Sequence, residues 1–192
     1  DNIQIGVTGD NEIDTASGNL TIDSAGGTTT IDDSLTVSGA TTLTGATTLN
    51  GGLTLNSSSV SLGTNSTSSG SNSTALGYNA TASGDNSIAI GSGTANNTGS
   101  VVIGDSAAST GINSVALGGQ ASSTSIDSVA LGGQASAAGE DAFALGGHAS
   151  AHAQNAYAIG RQASAHHDNS IAIGTSAGTT GTNQIVLGTS SE

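Results

Sequence analysis

Aliphatic side chains return along this chain at a fixed interval. The words VSLG (60–63), TALG (74–77), IAIG (88–91), VVIG (101–104), VALG (115–118), VALG (129–132), FALG (143–146), YAIG (157–160), IAIG (171–174) and IVLG (185–188) are one phrase written ten times. Eight of the nine steps between closing glycines span 14 residues, and the step from Gly91 to Gly104 spans 13. A period this regular predicts a solenoid. Each repeat is one coil that cannot bury its own apolar face and depends on the coils above and below.

Inside a repeat the period is two. In SVALGGQASAAGED (128–141), Val129 and Leu131 alternate with Ala130, so both aliphatics point to one face of a strand. Gly132-Gly133 turns the chain, and Ala135 and Ala137 alternate with Ser136 in a second, shorter strand whose inward face is small. Gly139-Glu140-Asp141 turns it back. The Ala-x-Ala word recurs at Ala80/Ala82, Ala149/Ala151 and Ala163/Ala165. Each coil therefore has a large-residue edge and a small-residue edge. Coils stacked ~4.8 Å apart form parallel ladders open only at the two ends, and ten of them make a rod of about 45 Å.

The large-residue edge faces water in a lone chain. A three-fold assembly hides it along a central axis, which assigns Val115, Leu117, Val129, Leu131, Phe143, Leu145, Tyr157, Ile159, Ile171 and Ile173 to a trimer core. Phe143 and Tyr157 fill the valine slot on adjacent coils, whereas Tyr78 follows a closing glycine and is expected to be exposed.

Before the solenoid the pattern changes. Residues 1–33 hold seven of the 14 acids and short alternating runs, Ile3-Gln4-Ile5 and Leu20-Thr21-Ile22, between glycine-rich turns. Leu35-Thr36-Val37 reads as another strand, and Val37, Leu43, Leu49 and Leu55 stand six apart with Gly39, Gly45 and Gly51 trailing the first three. Six residues suit one side of a triangular β-helix, or a strand and a turn, so 1–56 is expected to be a slender β-fibre or attachment segment and 57–192 the solenoid. The Ser/Asn-rich stretch 56–72 keeps the 14-residue frame at Val60, Leu62 and Gly63 and reads as a first, degenerate coil; a flexible linker is the competing reading.

Composition narrows the function. Among 192 residues there is no Pro, Cys, Met or Trp, Arg161 is the only Lys or Arg, and the formal charge is −13. Phosphate-led nucleic-acid binding and attraction to anionic lipid need basic clusters and are excluded. Disulfide and thiol chemistry is absent. A single Arg leaves trypsin-like proteases almost no site, which suits an exposed extracellular object. No run approaches the ~20 apolar residues of a membrane helix. Without an initiator Met or a signal peptide, the chain is expected to be a fragment or a processed form. Two large side chains per coil cannot fill a globular core, so several chains are expected to pool their apolar stripes.

Repeats such as DNSIAIGSGT (85–94), INSVALGGQASS (112–123) and QNAYAIGRQASAHHDNSIAIG (154–174) resemble the YadA-like head repeats of trimeric autotransporter adhesins, over roughly 72–188. The resemblance implies an all-β, left-handed, parallel β-roll of 14-residue coils, trimeric, with the Val/Ile/Leu positions at the trimer axis, in an extracellular fibre. The chain shows no YadA-type neck, heptad stalk or membrane anchor. The front segment, GDNEIDTASGNLTIDSAGGTTTIDDSLTVSGATTLTG (9–45), resembles fibre proteins of tailed phages, marine and T4-like ones in particular, through motifs of low complexity. Together the two resemblances imply a virion fibre for host attachment or display. Its partners are further copies of itself, other virion proteins at the N-terminal end, and a host-surface polysaccharide or protein. The alternative is the head of a bacterial adhesin at the cell surface.

Candidate chemistry is sparse. His152 and His166 are 14 apart and should stack on adjacent coils, with His167 alongside. A metal site there is the sharp reading and a solvated polar turn the plain one, since Ala138 holds the same place one coil earlier. His148 replaces Gln120 and Gln134 of sister coils and reads as a surface variant. Calcium-binding β-roll repeats need a nine-residue GGxGxDxUx word that is missing here. Asp10-Asn11-Glu12-Ile13-Asp14 lacks the glycine and terminal Glu of an EF-hand loop. No Ser-His-Asp set has positional support, and a polysaccharide depolymerase would need paired carboxylates in a groove. Neither an enzyme nor a cofactor is expected.

Overall fold

The computed structural model describes Ile22, residues 28–31 and 34–44, Thr47 and residues 58–188. The chain divides into two units, Asp1–Gly52 and Leu53–Glu192. In the first, no described residue lies in a strand, and Leu35 and Val37 are exposed. The strand expected at Leu35-Thr36-Val37 is therefore not formed. An alternating run becomes a strand only when a neighbouring backbone completes its ladder, and no described residue of this unit supplies one. The runs at 3–5 and 20–21, the acidic stretch at 10–14, and Leu49 and Leu55 of the six-residue period lie outside the described residues.

The second unit is the predicted solenoid. Long strands, from Ser59–Leu62 and Ser73–Leu76 through Val129–Leu131 to Ile185–Leu187, alternate with short ones such as Thr81–Ala82 and Ser136–Ala137. The long strands form one ten-stranded sheet and the short strands an eight-stranded sheet, every pairing parallel. A bridge from Ser164 to Gly178 extends the short sheet by one more coil. Register keeps like over like: Val129 pairs with Val115 and Phe143, and Ala130 with Ala116 and Ala144. From residue 58 onward the Ser/Asn-rich stretch enters this frame as predicted, since Ser59–Leu62 pairs in register with Ser73–Leu76.

The space between the sheets is lined by small side chains. Ala130 in the middle of the long strand, and Ala135 and Ala137 of the short arm, are completely buried, as are their equivalents along the stack. Val102 is the one larger apolar residue fully buried among the described residues. Serines before the long strand are buried too. Except at Ser87, their hydroxyls donate back to a carbonyl three residues earlier, as in Ser114 Oγ to Gly111 O at 2.8 Å and Ser128 Oγ to Ser125 O at 2.7 Å. Ser109, on the facing short strand, reaches the Ser114 hydroxyl. The buried Ser123 and Ser87 hydroxyls have no partner.

Corners need unusual backbone. At seven-residue intervals from Asn113 to Asn183, one residue per turn takes left-handed geometry with φ between 54° and 60°. Asn and Asp tolerate this region best, and Gln134, His148 and Ser176 are carried into it by the repeat. The closing glycines are stricter. Gly132 has φ +134°, and a Cβ there would sit 2.7 Å from the carbonyl oxygen of Gly146 on the next coil.

The 13-residue step falls in the turn Gly91-Ser92-Gly93. Thr81 N donates to Gly93 O, the bond that Thr67 N makes to Ala80 O one coil earlier, so Gly93 takes the alanine slot and the left-handed residue is the one deleted. The missing methyl is replaced from the next coil, because a Cβ on Gly93 would stand 2.4 Å from Val102 Cγ1. Shortening and enlargement compensate each other.

Val102→Ala should cost about 1–3 kcal/mol by emptying the space beside Gly93, and Gly93→Ala should destabilise by clash. The double variant should recover most of either loss in chemical denaturation, and additive losses would contradict the compensation. Ser123→Ala should raise stability by about 1 kcal/mol, because its hydroxyl is buried without a partner and sister coils hold Ala137 and Ala151 there. Ser114→Ala should lower stability by a similar amount in the same assay.

Candidate functional site

Alternation sends the large residues outward. The residues assigned to a trimer core, from Val115 and Leu117 through Val129, Leu131, Phe143, Leu145, Tyr157 and Ile159 to Ile171 and Ile173, all lie on the outer face of the ten-stranded sheet. Neighbouring coils cover them only in part. Leu145 and Tyr157 keep 40 % of their surface exposed, and Ile88, Ile103 and Ile173 are similarly open. Phe143 and Tyr157 touch each other with ring centroids 6.2 Å apart, tilted by 33°. They are therefore not in the core of the single chain. The sheet turns its methyl-sized side chains inward and leaves an aliphatic stripe on a surface. Tyr78 is exposed, as its place after a closing glycine implied.

The histidines form a ladder. His152 and His166 stack with centroids 4.7 Å apart and planes 10° from parallel. His152 Nε2 lies 3.0 Å from Ser136 Oγ and 3.1 Å from Ser150 Oγ, and His166 Nε2 lies 2.7 Å from Ser150 Oγ. Serine hydroxyls thus interleave with the rings. Parallel rings send their in-plane lone pairs side by side rather than toward one ion, so this geometry does not suit a shared metal. His167 makes no ring contact with the pair. Its carbonyl accepts from Ser170 Oγ at 2.6 Å, and its Nδ1 is buried without a partner. Among the described residues, no three His, Cys, Asp or Glu side chains gather as metal ligands. His148 sits in a left-handed corner and is exposed.

Among the described residues, shallow grooves flank the sheets, two of them notable for their lining. One, of about 460 Å³, lies at the shortened corner between Tyr78, Ile90, Ser92, Ile103 and Asp105. The other, of about 350 Å³, lies on the opposite turn around Ile112, Ile126 and Glu140. Each holds a single carboxylate, and the paired-carboxylate chemistry of glycoside hydrolysis needs two. No described helix is long and apolar enough to cross a membrane.

This architecture is a parallel β-roll with an outward aliphatic stripe and polar corners. The YadA head domain repeat (2 copies) matches at residues 56–80, 68–94, 95–121, 123–149 and 151–177, more than half of the chain, and the chain belongs to that family. Among solved structures it is similar to the collagen-binding domain of the Yersinia adhesin YadA. Identity is 26 % and the TM-score 0.51, covering 72 % of this chain and 84 % of that domain. No curated protein matches. Both matches lead to an adhesin head, the alternative reading of the sequence; neither leads to a phage fibre.

The histidine ladder is expected to make the fold sensitive to acid. Partial burial, and then the charge of His166, hold the His152 imidazole below its ordinary 6.5. The unfolded chain therefore binds the proton more readily, and this contribution to stability is full above about 6.5 and falls as pH drops through that value. His152→Gln should flatten the decline in melting temperature between neutral and mildly acid pH. An unchanged slope would mean that the pair is not its source.

Proposed function

We propose that residues 57–192 are the head of a homotrimeric bacterial surface adhesin, in which three copies bring their aliphatic stripes together on one axis and present polar corners outward. The observation that carries this reading is the stripe itself: ten strands, nine of them within the matched YadA-head repeats, with large apolar side chains left open on one face. An exposed apolar band of that length on an otherwise polar chain marks an association surface. Three identical corners then give avidity to weak contacts. Because the similar Yersinia domain is described as collagen-binding, extracellular host proteins are the partner class to test first. The role is adhesive, not enzymatic, and the place of action is the cell surface.

A virion fibre is the second reading, and its support is the resemblance of residues 9–45 to phage fibre segments. Immunogold labelling of cells and of phage particles separates the two placements.

Light scattering tests the trimer. The chain should run at about three times its 18.1 kDa mass with a β-rich circular dichroism spectrum. Leu131→Asp, which puts a carboxylate in the middle of the stripe, should convert it to lower-mass species. A folded monomer from the unaltered chain would overturn the shared axis.

A further inference from the structure

The position just before the left-handed residue of the second turn is polar on most coils: Ser71, Asp85, Thr98, Glu140, Gln154 and Asp168. On two adjacent coils it is isoleucine. Ile112 and Ile126 are 44 % and 45 % exposed, on a turn that belongs to neither sheet. The backbone ties them into one column: Asn113 N donates to Thr98 O, Asp127 N to Ile112 O at 2.9 Å and Asp141 N to Ile126 O at 3.2 Å. The two side chains therefore stand about one strand spacing apart, ~4.8 Å, along the stack. They line the 350 Å³ groove with Asn97, Thr110, Thr124 and Glu140. In a repeat that tolerates any polar residue at this place, two neighbouring isoleucines open to water are a local departure from the pattern.

Charge surrounds them with one sign. Asp85, Asp127, Glu140, Asp141 and Asp168 stand on this same turn, and among the described acids only Asp105 stands on the other. Asp85 and Asp168 accept from backbone amides, and Asp127 accepts from Asn113 Nδ2 at 3.2 Å. Glu140 and Asp141 spend their carboxylates on no side-chain partner among the described residues. The only Lys or Arg in the chain, Arg161, lies on the opposite turn beside Gln162.

We infer that the Ile112–Ile126 column is a docking site for a basic polypeptide segment, one carrying apolar side chains between Lys or Arg residues. The isoleucines would take the apolar side chains, and Glu140 and Asp141 would pair with the flanking cations. Charge decides among occupants. A second copy of this chain brings a net charge of −13 and one Arg, so it cannot supply the cations. Nucleic acid and anionic lipid are repelled for the same reason. The partner is therefore a different, positively charged protein. This inference rests on the adhesive reading above and names the surface and partner chemistry for it.

The test uses the full chain and a short fluorescent peptide with two leucines flanked by lysines, read by anisotropy. The Ile112→Ser/Ile126→Ser variant should bind at least about ten-fold more weakly while keeping its mass and β spectrum. Replacing the leucines of the peptide by serines should have a similar effect. Glu140→Gln/Asp141→Asn should weaken binding several-fold and flatten its salt dependence. Three results overturn the site: no binding by the unaltered chain, equal binding after the isoleucines are replaced, or a fall in oligomeric mass in that variant, which would assign the pair to contacts between copies. A monomeric mass for the unaltered chain instead removes the trimeric head and leaves the peptide measurement standing on its own.

Discussion

The interior of this roll is lined by side chains scarcely larger than a methyl group, and the rest of the structure depends on that constraint. Ala130, Ala135 and Ala137 fill one coil, and their equivalents fill the others. Burying a methyl group is worth about 0.8 kcal/mol, whereas fixing one residue of backbone costs about 1–2 kcal/mol. An alanine interior therefore cannot drive folding alone. The difference must come from backbone ladders that run in register through every coil, and from whatever covers the stripe of Val, Leu, Ile, Phe and Tyr outside. Size is tightly policed as a result. The only large buried apolar residue among those described, Val102, stands where Gly93 has given up a methyl.

The same narrowness explains the polar residues inside. A buried hydroxyl is affordable where a carbonyl lies within reach, as at Ser114 and Ser128. Where sister coils carry Ala142 and Ala156 instead, nothing polar has to be satisfied. Glycine is required where Gly132 meets Gly146, because positive φ and close backbone approach coincide there. Elsewhere the corners accept any residue that can be held in left-handed geometry, which leaves them free to vary. In a solenoid of this kind, strands and closing glycines hold the shape, and the second turn of each coil is where chemistry can change.

Much of this was legible in the sequence. The 14-residue step gave the coil. The alternation of Val129 and Leu131 placed both on one face, and Ala-x-Ala located the short strand with its small inward side. Equal spacing put His152 over His166. Other features were not legible, for physical reasons. The left-handed corners are hidden because Asn, Asp, Gln, His and Ser all occupy them. The 13-residue step showed a deletion but not its compensation, which joins Gly93 to Val102 across two coils. Leu35-Thr36-Val37 carries a strand-like alternation without a partner strand, and alternation is only half of what a strand needs.

The two apolar features of the surface differ in a way that bears on function. The stripe on the long strands is continuous, repeats on every coil and carries little charge, which suits it to an identical stripe in the proposed trimer. The Ile112–Ile126 column is confined to two coils and set among carboxylates, so another acidic copy is a poor match for it. In the proposed trimer, association uses what every repeat shares, because a three-fold axis brings the same stripe of each copy to one place. Recognition of a foreign partner uses what one or two repeats do differently. A repeat protein built on an alanine interior has few other means of becoming specific, since its core admits almost no variation and its corners admit a great deal.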